Sequence, residues 1–197
     1  MTLRRRKKSF PFFAIIVTAM LITTALVLAK TAYDYFEHKW LLQTHPLEFT
    51  EYVEKYALEY KLDKFLVYAV IRTESSFEYD AESNLGARGL MQIMEETFDW
   101  INDYRLREDG MTFDDMYEAD DNIRYGCYLL AYHLGNFGDL DCVLAAYFAG
   151  DNTVIRWLNN PDFSADGRTL TDIPDPDTAH YIHKVRTAYQ NYIYLYS

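Results

Sequence analysis

One carboxylate in the sequence is preceded by residues that would bury it. Phe65-Leu-Val-Tyr-Ala-Val-Ile71 is an uncharged run without Pro or Gly, Asp63 can N-cap it, and Glu74 follows three positions later. This spacing predicts a largely buried helix with Glu74 in its last turn. Burial against apolar groups raises a carboxyl pKa, and a Glu held protonated near neutral pH is what a general acid must be. Gly86 and Gly89 then bracket a tight passage, after which Leu90-Met91-Gln92-Ile93-Met94 returns apolar groups with one amide among them. That is the composition of a pocket wall. Taken singly, Ser83 reads as a turn serine, Gln92 as a capping amide and Met94 as a core methionine, while Ser75 and Ser76 suit the free carbonyls at a helix end.

The stretch from Glu74 to Thr97 resembles the signature of the family 1 lytic transglycosylases, the soluble-lytic-transglycosylase domain related to goose-type lysozyme. That signature runs Glu-Ser, a Ser nine positions after the Glu, Gly-Ala-x-Gly-Leu-Met-Gln and a Met. Glu74-Ser75, Ser83, Gly86-Ala87-Arg88-Gly89-Leu90-Met91-Gln92 and Met94 match it without a gap. Ala146-Tyr147-Phe148-Ala149-Gly150 resembles the family's Ala-Tyr-Asn-Ala-Gly, and Asp177-Thr178-Ala179-His180-Tyr181 its Glu-Thr-x-x-Tyr. Four ordered blocks over about residues 62–190 are far more specific than any one short motif.

The resemblance implies a mainly α-helical, lysozyme-like domain with a groove for a glycan strand, and peptidoglycan as the partner in that groove. The implied reaction cleaves the β-1,4 bond between N-acetylmuramic acid and N-acetylglucosamine without net hydrolysis and leaves a 1,6-anhydromuramyl end. Glu74 would act as acid and then as base, and Ser83 would hydrogen-bond and position its carboxyl. Gln92 and Met94 match residues lining sugar subsites. Tyr147 would place its hydroxyl on the carboxyl or the substrate, and Tyr181 fits the terminal family tyrosine at the substrate. No cofactor is implied. The two cysteines and five scattered histidines lack the close paired spacings of a zinc site.

Three positions depart from the family pattern. Phe148 stands where the family has Asn, so a stacking face replaces an amide at that subsite. Glu95 replaces a Pro after Met94, which touches only the entry to the next helix, and Asp177 replaces a Glu while remaining able to cap the last helix. Two rival readings stay open. A hydrolytic muramidase would need a second carboxylate, for which Glu78, Asp80, Glu82, Glu95 and Glu96 are near in sequence. A catalytically silent, membrane-tethered wall-binding or scaffold module would keep the fold and lose turnover.

The elements that must position these residues follow in order. Residues 1–9 carry Arg4-Arg-Arg-Lys-Lys8, and Phe10 to Ala29 is an uncharged run of 20 residues, close to the roughly 20 a helix needs to cross the hydrocarbon core. We read 10–29 as a transmembrane signal-anchor with the basic tail in the cytoplasm and the rest of the chain outside. The run exceeds the apolar region of a cleavable signal, and no Ala-x-Ala type site follows it. Residues 30–45 read as a juxtamembrane stalk and 46–197 as the domain. With its 5 basic residues set aside, the chain beyond the tail holds 14 basic against 30 acidic residues, which excludes unaided nucleic-acid binding. Other cell-envelope partners are not named by the sequence.

Within the domain, Phe49, Tyr52, Val53, Tyr56, Ala57 and Tyr60 predict a first helix near 48–60, and another is expected around 96–104. Asp120 or Asp121 can cap a helix through Ile123, Cys127, Leu130, Ala131 and Leu134 that Gly135 and Asn136 end, and Leu140 to Ala149 is expected to pack on it. An exported pair of cysteines permits a disulfide, yet Cys127 and Cys142 each sit in an apolar helical pattern, where buried thiols are expected.

Overall fold

The computed structural model describes residues 11–197, which form two units, one ending at Thr44 and one running His45–Ser197. Arg4 to Lys8 and Phe10, and with them the proposed cytoplasmic tail, lie outside the described residues. The first unit is a single helix, α1 (Pro11–Thr44), whose apolar side chains are exposed from Phe12 to Trp40. It is long and apolar enough to cross a membrane. The expected stalk is not a separate element, because its residues up to Thr44 continue α1. The reason is local. After Pro11, which suits a first helical position, neither Gly nor Pro occurs before Pro46.

The second unit is helical throughout: α2 (Thr50–Tyr60), α3 (Lys64–Glu74), α4 (Glu95–Ile101), α5 (Ala119–Phe137), α6 (Leu140–Ala149), α7 (Asp151–Leu158) and α8 (Pro176–Tyr196). A π-helical turn at Asn102–Leu106 and a 3-10 turn at Phe113–Tyr117 lie between α4 and α5. The only β pairing among the described residues is two isolated bridges, Glu82 with Arg88 and Arg88 with Ile93. The centre is α3, in which Val67, Ala69, Val70 and Ile71 are wholly buried. It packs on α8 and α2, while α5 packs on α2 and α6 and α6 on α8. Residues 45 and 46 are tied to α8, since Tyr196 donates to the His45 carbonyl at 2.8 Å and Tyr192 to that of Pro46 at 3.0 Å.

Several boundaries follow from caps. Asp63 accepts from Phe65 N at 2.8 Å and Asp139 from Cys142 N at 3.1 Å, each worth about 1 kcal/mol. Other caps differ from expectation. Glu118, not Asp120 or Asp121, precedes α5; Asp120 instead accepts from the Tyr56 hydroxyl at 2.6 Å and pairs with Lys55 at 3.2 Å. Gly135 and Asn136 do not stop α5, which runs to Phe137 and ends at Gly138 with φ +71°. The last helix is capped by Asp175, whose carboxylate accepts from Thr178 N at 2.9 Å. Pro176 at the first helical position makes that register the favourable one, so Asp177 falls inside the helix. The helix expected around 96–104 divides into α4 and the π-helical turn. Cys127 and Cys142 are buried and unpaired.

Candidate active site

Glu74 is the last residue of α3, and the chain leaves it in an unusual way. Ser76 and Phe77 both have positive φ, 53° and 69°, a conformation costing non-glycine residues of order 1–3 kcal/mol each. The buried Ser75 secures the turn, donating from Oγ to the carbonyl of Ile71 at 3.2 Å and of Leu90 at 2.9 Å and accepting from Phe77 N at 3.2 Å. The end of α3 is thereby fastened to the loop from Ala81 to Met94.

That loop is organised by Asn122 of α5, which is wholly buried. Its Oδ1 accepts from Met91 N at 2.7 Å, and its Nδ2 donates to the carbonyls of Arg88 and Met116, both at 2.8 Å. Gly89 has φ +75°, and a Cβ there would lie 2.2 Å from the Met116 carbonyl and 2.3 Å from Asn122 Nδ2. Only glycine lets the loop approach this closely. Gly126, one turn along α5, admits the Met91 side chain, whose sulfur would be 2.3 Å from an added Cβ.

The Glu74 carboxyl is partly buried, and Tyr181 of α8 donates its hydroxyl to Oε1 at 2.7 Å. Desolvation pushes the Glu74 pKa up to about 7; the Tyr181 hydrogen bond and the charge of Lys184 oppose the shift without cancelling it. Tyr181 is itself buried and its hydroxyl pushed well above its ordinary value, first by burial and then by the Glu74 charge. It is a fixed donor. Phe148 stacks on the Tyr181 ring, with centroids 4.7 Å apart and planes at 23°, and its exposed face looks onto a groove.

The groove has a volume of 770 Å³, within the range of ligand sites. Met94, Tyr147 and Phe148 line it, together with Trp100 of α4, Tyr132 and His133 of α5, and Asp151 and Ile155 of α7. Tyr147 does not reach the Glu74 carboxyl. Its hydroxyl donates to the Met91 carbonyl at 2.8 Å, although the Glu74 charge helps to raise its pKa after burial, the larger cause.

The sequence-derived residues therefore divide. Glu74 and Tyr181 are bonded, Phe148 stacks on Tyr181, and Met94, Tyr147 and Phe148 share the groove. Ser83 is a turn serine whose Oγ accepts from Leu85 N at 3.3 Å and Ala87 N at 2.9 Å, with no bond to Glu74. Gln92, at φ 51°, spends both amide hydrogens on the carbonyls of Ala81 at 3.2 Å and Gly89 at 3.0 Å. Its amide braces the loop. Asn122, Trp100, Tyr132, His133 and Asp151 went unremarked in the sequence. The local signals among them were Asn122 and His133, two polar residues at helical spacing with Gly126 and Leu129 on the buried face of α5.

Against known proteins, the family described as "Transglycosylase SLT domain" matches residues 51–168, more than half of the chain. That span holds Glu74, Ser83, Gln92, Met94, Tyr147 and Phe148 and stops before Tyr181. A transglycosylase of Enterobacteria phage PRD1 is 35% identical over 106 residues, 54% of this chain and 36% of the phage protein. The soluble lytic murein transglycosylase of Salmonella typhimurium is 27% identical over 173 residues, 87% of this chain and 26% of that protein. The 70 kDa soluble lytic transglycosylase of Escherichia coli, in complex with bulgecin A, superposes with a TM-score of 0.71 at 25% identity, covering 85% of this chain and 27% of that one. An inactive Glu-to-Gln mutant of the lytic transglycosylase Slt from Pseudomonas aeruginosa gives a TM-score of 0.66 at 26% identity, covering 77% and 25%. The chain thus spans about a quarter to a third of the length of these relatives.

Proposed function

The chain belongs to the Transglycosylase SLT domain family, and from that premise we propose that it is a peptidoglycan lytic transglycosylase with Glu74 as its single acid and base. The observation that carries the reading is the Glu74 carboxyl, poised at about 7 by burial and held by Tyr181. A carboxyl with that pKa is substantially protonated at neutral pH and gives a competent base once its proton has gone.

In the proposed cycle the Glu74 carboxyl protonates the glycosidic oxygen as the bond from N-acetylmuramic acid C1 to that oxygen breaks. The carboxylate then removes the proton from the C6 hydroxyl of the same sugar as O6 bonds to C1. The carboxyl is restored, no water is consumed, and the product ends in a 1,6-anhydromuramyl ring. The attacking hydroxyl belongs to the sugar already bound, so the closing step is intramolecular. Hydrolysis would call for a second carboxylate at a set distance. Glu78, Asp80, Glu82, Glu95 and Glu96 are all exposed, and the charge acting on Glu74 among the described residues is that of Lys184, a cation. Both facts favour the one-carboxyl route.

We further propose that residues 10–29 anchor the chain in the cell membrane, with the N-terminus cytoplasmic and the domain outside, where its substrate lies. The length and apolar exposure of α1 support this reading.

The test is mass spectrometry of the muropeptides released from intact sacculi by the full chain in detergent micelles. Products one water lighter than reducing-end muropeptides, absent with Glu74→Gln, are expected. Reducing-end products would establish a hydrolytic muramidase instead, and no product from folded protein would mark a silent wall-binding module.

A further inference from the structure

The groove contains a polar pair that the proposed reaction leaves unused. His133 of α5 and Asp151, the first residue of α7, approach to 2.7 Å between Nδ1 and Oδ1, with side chains 5% and 28% exposed. Both atoms are buried, no other described group is within hydrogen-bond reach of either, and the contact between them is a close charge approach that falls short of an aligned hydrogen bond. Gly150, at φ +83°, makes the corner between α6 and α7 that delivers Asp151 to the imidazole. A carboxylate at Nδ1 holds the ring proton there, which leaves Nε2 as a hydrogen-bond acceptor. Among the described residues none donates a hydrogen bond to Nε2, and His133 lines the groove.

We propose that His133, oriented by Asp151, is the groove's acceptor for a secondary amide N–H of the peptidoglycan strand. The inference rests on reading the chain as a peptidoglycan enzyme and adds a specificity-determining residue to it. The walls agree with an amide-bearing ligand. Trp100 and Tyr132 meet edge to face at 4.8 Å between centroids, and with Met94, Phe148 and Ile155 they make an apolar surface suited to a methyl group or sugar face beside the donor. The ring of Tyr147 lies 6.3 Å from that of His133, so the acceptor adjoins a tyrosine that feels the Glu74 charge.

An amide N–H can only donate, whereas a hydroxyl can turn and accept. An acceptor that becomes a donor on protonation therefore discriminates between them. Burial lowers the His133 pKa and the Asp151 charge raises it, the net direction being down from 6.5. The titratable groups lining the groove with it are Asp151 on α7, Glu96 on α4 and the hydroxyls of Tyr132 on α5 and Tyr147 on α6. The imidazole is thus neutral and accepting at neutral pH and loses that capacity in acid.

The experiment is equilibrium binding to the full-length Glu74→Gln chain in micelles, which removes both turnover and the titration of Glu74. The probes are peptide-free glycan strands, fully N-acetylated or N-deacetylated, and N-acetylated strands that keep their stem peptides. Affinity should fall roughly tenfold as acidification from pH 8 protonates the His133 ring, a step that lies below pH 6.5, the loss of one hydrogen bond. His133→Gln, whose amide can donate to Asp151 while its carbonyl still accepts, should bind with no such pH response. The pair His133→Phe and Asp151→Asn, which removes the acceptor without stranding a buried charge, should bind roughly tenfold more weakly at pH 8. A response seen with peptide-free N-acetylated strands and missing from deacetylated ones assigns the donor to the sugar acetamido group; one confined to peptide-bearing strands assigns it to the stem peptide. Binding by the double variant within twofold of its parent on every strand overturns the proposal, as does a pH response that survives His133→Gln. Either result leaves the lytic reading untouched, since that is judged by the products of the unmutated chain.

Discussion

Tyr181 donates to Glu74 at 2.7 Å from 107 residues away in the sequence, while Tyr147, which lines the groove, donates instead to the Met91 carbonyl. Two tyrosines beside one carboxyl, Tyr181 buried and Tyr147 partly so, thus have different duties. Tyr181 acts on the proton of Glu74 and Tyr147 acts on the loop that faces it.

The difference is measurable. In the proposed reaction Glu74 must be protonated to act as an acid, so activity should fall as pH rises through its pKa. The Tyr181 bond favours the carboxylate, and removing it by Tyr181→Phe should move the alkaline limb of kcat/KM up by roughly one pH unit. Tyr147→Phe should leave that limb in place and cost about 1–2 kcal/mol of stability by orphaning the Met91 carbonyl. Equal displacement of the limb by both variants would contradict this division.

Stability should carry the mark of the same group. Glu74 titrates from 4.5 in the unfolded chain to about 7 in the folded one, so between these values the folded state binds more protons and stability falls as pH rises. The protonated carboxyl is therefore fully accommodated below pH 4.5, and the cost of the buried charge is fully present above pH 7. Glu74→Gln should be more stable than the parent at pH 8, by on the order of 2–3 kcal/mol, and should gain little at pH 4.5. Urea melts at the two pH values decide it.

At the substrate face, Phe148→Ala should raise KM about two- to tenfold with a smaller change in kcat, because it removes the exposed ring and the stack that steadies Tyr181. Steady-state kinetics on peptide-free glycan strands give the split, and a loss confined to kcat would place Phe148 with the proton transfer instead.

Asn122→Leu removes a near-isosteric amide that makes three buried hydrogen bonds. A loss of about 3 kcal/mol, or roughly 10 °C in Tm, is expected by calorimetry. A change under 1 kcal/mol would mean that the loop holds its shape without this residue.

Much of the frame was legible in local chemistry. Asp63 and the uncharged run after it placed α3 and put Glu74 at its end, and the helix expected from Leu140 to Ala149 is α6 with those bounds. Capping was misread where several acids compete, since Asp120 and Asp121 both resemble caps until the Tyr56 hydroxyl and Lys55 claim the first of them. Proline settled the other end, for Pro176 selects Asp175 over Asp177. For the expected site the sequence named residues and not the bonds they make. Spacing could name Ser83, Gln92 and Tyr147, but whether a hydroxyl or amide turns to substrate or to the backbone depends on how separate elements pack; Ser83 accepts from backbone N–H groups, and Gln92 and Tyr147 donate to backbone carbonyls. His133 and Asp151 lie on different helices, and neither helix carries a pattern that points to the other.

Asn122 also bears on how the folded chain comes apart. Its three bonds join α5, the 3-10 turn that carries Met116 and the loop that carries Arg88 and Met91, and Gly89 and Gly126 pack that loop too closely for it to slide. The loop therefore has no low-energy opening of its own. Amide hydrogen exchange at Met91 should report the global unfolding free energy and not a local fluctuation. If the proposed glycan enters the groove, it meets at Met94 a wall already ordered, and little of its binding free energy goes to arranging that loop.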